Sequence, residues 1–312
     1  MPARVSVVIP TLDGQRWLPE CLAALAAQTM ADFEVVLIDN KGGEATRGFE
    51  NGYAGLTITR IVNASNRGFA AAANQGLRAG EGAFAALLND DTKPAPGWLD
   101  ALLRAAEPPD VGACASLMVF DAAPGTVQSA GISVDRAAIA WDRLRGHPVI
   151  AAQAPAEVFG ASGGAALYRR AMLDQIGMLD ERFVSYLEDV DLAWRAQRTH
   201  WRCVYAPAAV VRHVTSATAG EGSRFKSRML GRNKVWLAAK NSRWRDLPIV
   251  AGYDLAAVFY ALVARRDPGP MLGRFDAIAG LPAALRARAG AGARARGLSP
   301  LVAPWHVPRR MG

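Results

Sequence analysis

Four short apolar runs within the first 90 residues, separated by stretches of helical composition, constrain the fold most strongly. The runs occupy residues 5–9, 33–39, 57–62 and 84–88. Their β-branched and aliphatic side chains predict buried strands. Apolar residues also recur at helical spacing between the first two runs, at Trp17, Leu18, Cys21, Leu22 and Leu25. The alternation predicts a parallel sheet between helices, with the glycine-rich residues 40–56 forming mostly loop.

Polar residues follow each predicted strand at its carboxyl end. They are Thr11 and Asp13 after the first, Asp39 and Asn40 after the second, residues 63–67 after the third, and Asp90 and Asp91 after the fourth. Polar strand ends are common because turns are polar. In an open parallel sheet, however, ligands bind outside the carboxyl ends of the strands. Four such clusters therefore predict one binding crevice at this edge.

The first strand–helix turn lacks the usual glycine-rich phosphate loops. "PTLDGQRW" contains one glycine, so neither G-x-G-x-x-G nor G-x-x-x-x-G-K-[ST] is present there, which disfavours a dehydrogenase or a P-loop ATPase. A bound diphosphate then needs another positive charge, which a divalent cation held by carboxylates supplies. Asp90 and Asp91 in "LLNDD" are the candidates for Mg2+ or Mn2+. The alternative is that they cap a turn before Pro94.

An acidic cluster in "SYLEDVDLAWRAQR" predicts a helix start, because the helix dipole favours carboxylates there. Asp191 and Arg195 are expected to pair, with Glu188 on roughly the same face, which leaves Asp189 as the free carboxylate. Crowding by like charges raises a carboxyl pKa and improves a general base; the alternative is a well-capped helix. His213 in "VVRHVTS" is a candidate metal or phosphate ligand, or else a hydrogen-bonded structural histidine.

These motifs together resemble the family 2 glycosyltransferases with the GT-A fold, particularly the rhamnosyltransferase-like members that build bacterial surface polysaccharides. The resemblance covers about residues 4–240. It rests on "VSVVIPTLDG", "VVLIDN", "NASNRGFAAAANQG", "LLNDD", "GASGGAALYRR", "YLEDVDLAWR" and "RHVTS", in the order that the family shows. It implies an α/β nucleotide-binding fold with a mainly parallel central sheet flanked by helices, and a sugar transferase.

The resemblance also implies roles for individual residues. Asp189 would be the catalytic base, and Asp91 with His213 would bind the divalent metal. The residues expected to contact a nucleotide-diphosphate sugar are Thr11, Asp13, Asp39, Asn66, Arg67, Gly68, Asn89, Asp90 and Gly163. Two segments depart from the family pattern: Asn89 stands where D-x-D motifs begin, and "NKGGEAT" replaces a serine-rich turn. The second departure leaves the ribose contacts and the nucleotide open.

Sugar-nucleotide chemistry then predicts an inverting, metal-dependent transfer. The metal stabilises the diphosphate leaving group while Asp189 deprotonates a hydroxyl of the acceptor. The acceptor is expected to be a glycan or a lipid-linked glycan, and the resemblance suggests rhamnose from a dTDP donor. Two alternatives stay open: a nucleotidyltransferase, which usually carries a glycine-rich basic loop after its first strand, and a non-catalytic sugar-nucleotide-binding subunit.

The charge distribution separates a near-neutral body from a basic tail. Of the net charge of +8, residues 241–312 carry +7, from eleven arginines and four aspartates. We therefore expect a catalytic domain at 1–240, with a nucleotide-binding half at 1–119 and an acceptor half at 120–240. A basic helical appendage follows at 241–312. Its apolar and arginine-rich segments suit an anionic membrane surface; packing on the body or on a second subunit of a homo-oligomer is the alternative.

Further features bound the class of protein. Asp254 and Pro248 within the apolar segment favour a surface-lying helix over a spanning one. The arginines have few interleaved aromatic residues and no recognised module, which disfavours nucleic-acid binding. Three scattered cysteines and the absence of a secretory signal at the start predict a cytoplasmic protein, peripheral on the inner face of the cytoplasmic membrane where the tail binds lipid.

Overall fold

The computed structural model of the chain describes residues 3–214, 223–288 and 298–301. The strands are β1 (Val5–Thr11), β2 (Phe33–Asp39), β3 (Ile58–Val62), β4 (Phe84–Leu88), β5 (Thr92–Pro94), β6 (Val111–Phe120), β7 (Ala123–Ser129), β8 (Ile132–Val134), β9 (Ala140–Asp142), β10 (Ala156–Val158), β11 (Ala165–Arg169) and β12 (Arg202–His213). The α-helices are α1 (Gly14–Ala26), α2 (Phe69–Ala79), α3 (Trp98–Ala105), α4 (Arg170–Ile176), α5 (Glu188–Arg198), α6 (Arg224–Asn241), α7 (Leu247–Ala264) and α8 (Gly269–Arg286).

All four predicted strands are present, and β2 and β4 have the predicted bounds. β1 pairs in parallel with β2 and β4, and β2 pairs in parallel with β3, which confirms the parallel arrangement of this half. β1, β2 and β4 form because successive aliphatic side chains are buried on both faces of the sheet, whereas β3 is a partly exposed edge strand. Residues 40–56 are loop with two short 3-10 turns, Glu44–Thr46 and Phe49–Asn51, as expected.

The complete sheet is mixed, with the strand order β10-β12-β6-β11-β4-β1-β2-β3. β11 runs antiparallel to both β4 and β6, whereas β12 runs parallel to β6. The short strand β5 pairs with the end of β12, with His213 opposite Thr92. This pairing brings His213 beside the turn that follows β4. Asp91 of that turn lies 122 positions earlier in the chain.

Helices cover both faces of the sheet. On one face, α1 and α3 bury Leu18, Leu22 and Trp98 against β1 and β2. On the other face, α2, α4 and α5 form a second apolar layer with the opposite side chains of the same strands. All three cysteines are buried and free. The helical stripe predicted from Trp17 to Leu25 is confirmed, although Trp17 itself is only half-buried.

The C-terminal helices form a separate layer. α6 packs along α8, and Asp254 of α7 accepts hydrogen bonds from Arg274 of α8, at 2.7 Å from Nε, and pairs with Lys234 of α6 at 3.2 Å. The stretch Trp244–Ala264 has 21 residues and a mean hydropathy of 1.8, so its length and composition would allow it to cross a membrane. Residues 289–297 and 302–312 of the predicted basic appendage lie outside the described residues.

Candidate active site

The turn Asn89–Asp90–Asp91 leaves the end of β4 and is held from two sides. The N–H of Asn89 donates to the carbonyl of Gly164 at 2.9 Å, and the Thr11 hydroxyl donates to Asp90 at 2.5 Å. Both aspartates are buried. Burial raises the pKa of Asp90 to about 6, the Thr11 hydrogen bond opposes the rise, and the charge of Asp91 adds to it. The turn therefore holds two carboxyl groups in a fixed, poorly solvated position.

Asp91 and His213 face each other at the edge of the crevice. Oδ1 of Asp91 lies 3.0 Å from Nε2 of His213, and Val214 N–H donates to the Asp91 carbonyl at 3.0 Å. Nδ1 of His213 lies 2.9 Å from Oε1 of Gln128. Because that amide oxygen can only accept, Nδ1 carries a proton, and Nε2 is the nitrogen directed at Asp91.

The Asp91–His213 pair fits two neighbouring ligands of a small divalent cation. The observed separation of 3.0 Å is that of a direct hydrogen bond, and it is also the spacing of adjacent ligands held at about 2.1 Å in octahedral geometry. No group of three or more His, Cys, Asp or Glu side chains is clustered for a metal among residues 3–214, 223–288 and 298–301. A two-residue site agrees with Mg2+ or Mn2+ chemistry, in which phosphate oxygens and water complete the shell.

Asn40 organises the predicted nucleotide-binding turn after β3. Its amide donates to Oδ1 of Asn66 at 3.0 Å and to the Gly68 carbonyl at 3.3 Å. Its Oδ1 accepts from Asn63 at 3.0 Å and from the N–H of Arg67 at 3.1 Å. One buried side chain thus ties the end of β2 to the turn at 66–68, which places two of the four predicted clusters together.

Asp39 lies beside that turn, at the end of β2, and is buried. Its carboxylate accepts hydrogen bonds from the Lys41 N–H at 3.0 Å and from the Thr46 hydroxyl, and Arg60 lies 3.9 Å away. The loop "NKGGEAT" therefore wraps around this carboxylate. Three predicted residues differ from the others: Asp13, Asn66 and Arg67 are exposed.

Asp189 is the second residue of α5. One carboxylate oxygen accepts from the N–H of Gly163 at 3.0 Å and the other from the N–H of Val190 at 2.8 Å. Burial raises the pKa of Asp189, these two hydrogen bonds oppose the rise, and the charge of Asp142 adds to it. Asp189 is thus oriented by backbone groups instead of a cation, and its elevated pKa suits a group that accepts a proton.

The glycine pair Gly163–Gly164 joins Asp189 to the Asn89–Asp91 turn. A Cβ placed on Gly163 would lie 3.7 Å from Cβ of Asp189, and one placed on Gly164 would lie 3.4 Å from Nδ2 of Asn89. Asn89 Nδ2 in turn lies 3.5 Å from Nε2 of His213. Asp189 and the Asp91–His213 pair therefore lie on either side of one short segment of the chain.

Asp142 was not predicted as a site residue. It ends β9, in a segment that carries no sequence signal, and its charge raises the pKa of Asp189. Burial raises the pKa of Asp142, and a hydrogen bond from Ser129 and nearby cations oppose the rise. Gln128, which fixes the His213 tautomer, lies in the same segment. Residues 120–159 therefore supply polar groups to the crevice.

The acidic cluster around Asp189 separates into one paired and one unpaired carboxyl. Asp191 is fully buried and bonds to Arg195 at 2.9 Å, Lys240 at 2.7 Å and Asn241 at 2.8 Å, so the predicted pair with Arg195 is present. Glu188 makes no ion pair within the described part of the chain. Its Oε2 atom is buried without a hydrogen-bond partner in the described chain. Burial and the charge of Asp189 raise the pKa of Glu188 to about 8.

Replacing Glu188 with glutamine is expected to flatten the pH dependence of stability. Between pH 4.5, the ordinary pKa, and about 8, the unfolded chain loses this proton while the folded protein retains it, so stability falls as pH rises. Glu188→Gln removes this effect. At pH 5 and at pH 8.5, urea denaturation gives the difference in unfolding free energy between the variant and the wild type. We expect this difference to shift in favour of the variant by roughly 1–3 kcal/mol from pH 5 to pH 8.5.

The exposed Glu107→Gln substitution controls for the loss of one negative charge. A Glu188→Gln variant whose advantage over the wild type does not change with pH would show that this carboxyl ionises freely in the folded protein.

Comparisons with known proteins identify the family of the chain. A model of glycosyl transferase family 2 matches residues 6–177, more than half of the chain. N-acetylglucosaminyl-diphospho-decaprenol L-rhamnosyltransferase of Mycobacterium tuberculosis is 28% identical over 274 residues, covering 78% of this chain and 87% of the relative. O-antigen biosynthesis protein RfbC of Myxococcus xanthus is 27% identical over 226 residues, covering 69% of this chain and 18% of the relative.

Solved structures are similar over nearly the whole chain. The mannosyltransferase PcManGT from Pyrobaculum calidifontis, solved with GDP-Man and Mn2+, is 20% identical with a TM-score of 0.57, covering 93% of this chain and 74% of that one. S. aureus TarS 1-349 in complex with UDP-GlcNAc is 17% identical with a TM-score of 0.53, covering 92% and 91%. These similarities confirm the predicted GT-A type of fold with helices after the sheet.

Proposed function

Because the chain belongs to glycosyl transferase family 2, we propose that it transfers a sugar from a nucleotide-diphosphate donor to a hydroxyl of a glycan or lipid-linked acceptor, with inversion at the anomeric carbon. The observation that carries the proposal is the glycine pair Gly163–Gly164, which has Asp189 on one side and the Asn89–Asp91 turn on the other. Family membership makes the chain a glycosyltransferase, which decides against the nucleotidyltransferase and the non-catalytic subunit.

The donor is proposed to bind along the carboxyl ends of β1, β2, β3 and β4. The residues assigned to it are Thr11, Asp13, Asp39, Asn66, Arg67, Gly68, Asn89, Asp90 and Gly163. The hydrogen bonds of Asn40 support this assignment, because they present the turn at 66–68 beside Asp39 in a fixed conformation. We propose that residues 1–240, up to the end of α6, form the catalytic domain that binds the donor and transfers the sugar. Residues 241–312 form the basic helical region.

Asp91 and His213 would hold the divalent cation, Mg2+ or Mn2+. When bound, such a cation neutralises charge on the diphosphate leaving group. The protein contributes the rest of the site: Gln128 lies against Nδ1 of His213, which leaves Nε2 facing Asp91, and Thr11 anchors the neighbouring carboxyl of Asp90. Without a glycine-rich cradle after β1, the chain depends on these residues to bind the diphosphate.

Asp189 is proposed as the general base. The acceptor O–H bond breaks as its proton passes to Asp189, the acceptor oxygen bonds to the anomeric carbon, and the bond from that carbon to the diphosphate breaks. A single displacement of this kind inverts the anomeric centre. The raised pKa of Asp189 brings the base closer to the operating pH, and the N–H groups of Gly163 and Val190 fix the direction of its carboxylate.

The relative from Mycobacterium tuberculosis is named as an L-rhamnosyltransferase acting on a diphospho-decaprenol-linked N-acetylglucosamine. We propose rhamnose, from a dTDP donor, as the sugar and a lipid-linked glycan of cell-surface polysaccharide synthesis as the acceptor class. The enzyme would then work at the cytoplasmic face of the membrane, where such acceptors are assembled from nucleotide sugars.

A thermal-shift screen of nucleotide diphosphates and their sugars, with and without Mn2+, tests the proposed function. Ligand at about 100 times its Kd stabilises the folded state by about 2.7 kcal/mol, which is readily measured. We expect a diphosphate and its sugar conjugate to raise the Tm only when Mn2+ is present. No stabilisation by any nucleotide sugar, or equal stabilisation with and without metal, would contradict the proposal.

The exposed faces of α7 and α8 are proposed to lie on an anionic bilayer. Large apolar side chains at least 40% exposed follow one another along both helices, namely Leu255, Phe259, Tyr260, Val263, Leu272, Phe275, Ile278 and Leu285. Arg265, Arg266 and Arg286 are exposed at the helix ends and complement lipid phosphates. Asp254, tied to Arg274 and Lys234, fixes α7 against its neighbours, which favours an interfacial position over a spanning one.

Full-length protein is therefore expected to sediment with phosphatidylglycerol vesicles at low salt and not with phosphatidylcholine vesicles. The double variant Phe259→Asp/Phe275→Asp should lose most of this binding, because each buried phenylalanine contributes about 1.5–3 kcal/mol. Ile150→Asp, at an 80% exposed position on the body, is the matched control. If the protein does not bind vesicles but forms a dimer, and the double variant is monomeric, these faces contact a second copy of the chain instead of a membrane.

A further inference from the structure

The backbone of residues 183–187, here named the base loop, is strained. Val184, Tyr186 and Leu187 have positive φ angles of 65°, 72° and 67°. Val184 has ψ −64°, and the N–H of Ser185 donates to the carbonyl of Phe183 at 2.7 Å, which closes a rare type of γ-turn. A β-branched residue rarely adopts positive φ. Such a conformation persists only where surrounding contacts impose it.

The turn that begins α2 holds one side of the base loop. The N–H of Ala70 donates to the Val184 carbonyl at 2.9 Å, and the N–H of Phe69 donates to the Ser185 hydroxyl at 3.4 Å. A Cβ on Gly68 would lie 2.6 Å from Cγ1 of Val184 and 2.9 Å from its carbonyl oxygen. The loop therefore packs directly on the proposed donor-binding turn.

Asn233 of α6 holds the other side. This side chain is fully buried, and its Nδ2 donates to the carbonyls of Phe183 at 2.9 Å, Ser185 at 2.8 Å and Tyr186 at 2.8 Å. Nε of Arg232 donates to Oδ1 of Asn233 at 3.0 Å, which orients the amide with its N–H groups toward the loop. The two N–H groups of one side chain are thus shared among three carbonyls of a five-residue strained segment.

We propose that Asn233 is a positioning residue for the transfer reaction and acts by holding the base loop in the conformation that aims the Asp189 carboxylate into the crevice. The inference rests on the proposed role of Asp189 as the base. Leu187 immediately precedes Glu188 and Asp189, the first two residues of α5. A change of backbone angle at Tyr186 or Leu187 therefore turns Asp189 away from the N–H of Gly163.

The position of Asn233 gives the C-terminal helices a part in catalysis. α6 begins beyond residues 6–177, which the family model matches, and it packs along α8, one of the two helices with an exposed apolar face. The direction of the base is thus set from both sides, by the donor-binding turn at 68–70 and by a helix outside the matched segment.

Two substitutions test the proposal. Asn233→Asp keeps the shape but replaces the donating amide with an acceptor facing three carbonyls, and Asn233→Ala removes the group. We expect kcat to fall about 100-fold in both, because a displacement of about 1 Å in a reacting group has an effect of that size. The KM for the donor should stay within about threefold, since the donor contacts at 66–68 are retained.

Asn241→Ala is the matched control, because Asn241 is also buried on α6 and donates to Asp191 at 2.8 Å without touching the base loop. Its kcat should change less than threefold at a comparable loss of Tm. Arg232→Met removes the bond that orients Asn233 and a direct hydrogen bond to the Phe183 carbonyl at 2.9 Å. It therefore loosens the base loop from the same side and should also lower kcat, which tests the hold of α6 on this loop even where Asn233→Asp does not fold.

Equal kcat losses in the Asn233→Ala and Asn241→Ala variants, or a donor KM that rises as much as kcat falls, would overturn the proposal. The result is separable from the proposed function. If the Asp189→Asn enzyme is active, Asp189 is not the base, and the proposed mechanism is wrong. If the Asp189→Asn enzyme is inactive but the Asn233 variants behave like the Asn241→Ala control, only the proposed role of Asn233 is wrong.

Discussion

The Asp189→Asn enzyme is expected to bind donor with nearly unchanged affinity and to transfer sugar at least about 1,000-fold more slowly. General-base catalysis contributes about 100- to 10,000-fold, and an amide accepts no proton at neutral pH. The substituted side chain keeps its volume, and its oxygen can still accept the hydrogen bond from Gly163. The loss should therefore appear in kcat, with the KM and the thermal shift of the donor retained.

Asp174→Asn, at an exposed position of α4, makes the same chemical change away from the crevice and should leave the rate unchanged. If the Asp189→Asn enzyme transferred sugar at a rate close to that of the wild type, Asp189 could not be the base, and a different proton acceptor, such as Asp142, would have to be tested.

The Asp91→Ala enzyme is expected to lose metal and donor binding together. The substitution removes one of the two side chains that face each other at 3.0 Å, so a cation would keep only His213. We expect the Mn2+-dependent thermal shift of the donor to disappear and the donor Kd to rise at least about 100-fold, which corresponds to roughly 2.7 kcal/mol. His213→Ala should act in the same direction with a smaller effect.

Asp121→Ala provides the control for this experiment. Asp121 follows β6 near the same end of the sheet and pairs with Lys93 at 3.0 Å and Arg212 at 2.9 Å, so its removal also breaks ion pairs of β5 and β12. Metal-dependent donor binding should survive in this variant. An Asp91→Ala enzyme that still binds donor only with Mn2+ would place the cation elsewhere.

The nucleotide-binding half of the fold could be predicted because the local sequence of its strands identifies them. β2 and β4 are buried on both faces, so they read as continuous aliphatic runs with clear ends. The direction of β11 could not be predicted in the same way. It pairs antiparallel to both β4 and β6, and that choice depends on contacts between segments far apart in sequence, which a local pattern does not record.

The parts of the candidate site that follow the parallel strands could be predicted from the sequence. Carboxyl ends of parallel strands meet at one edge, and this brings Thr11 to Asp90 and the turn at 66–68 to Asp39 and Asn40. The roles of these residues remain predictions. The relation of Asp189 to the Asn89–Asp91 turn needed the fold, because it runs through the glycine pair of a different segment.

Other features of the site had no sequence signal at all. Asp142 and Gln128 reach the crevice through the pairing of short strands after Phe120. Asn233 appears in sequence as one polar residue of a basic helix, and only its burial against the base loop distinguishes it. The burial of Glu188 Oε2 without a hydrogen-bond partner in the described chain likewise appears only in the structure.

The anomeric configuration of the product tests the proposed mechanism most directly. It is read by NMR from the product formed with whichever donor shows a metal-dependent thermal shift, under conditions in which the Asp189→Asn enzyme is inactive. Attack by one acceptor oxygen, with Asp189 taking its proton across the crevice from Asp91 and His213, gives a glycosidic bond of configuration opposite to that in the donor. A product that keeps the configuration of the donor would contradict a single displacement and the role assigned to Asp189.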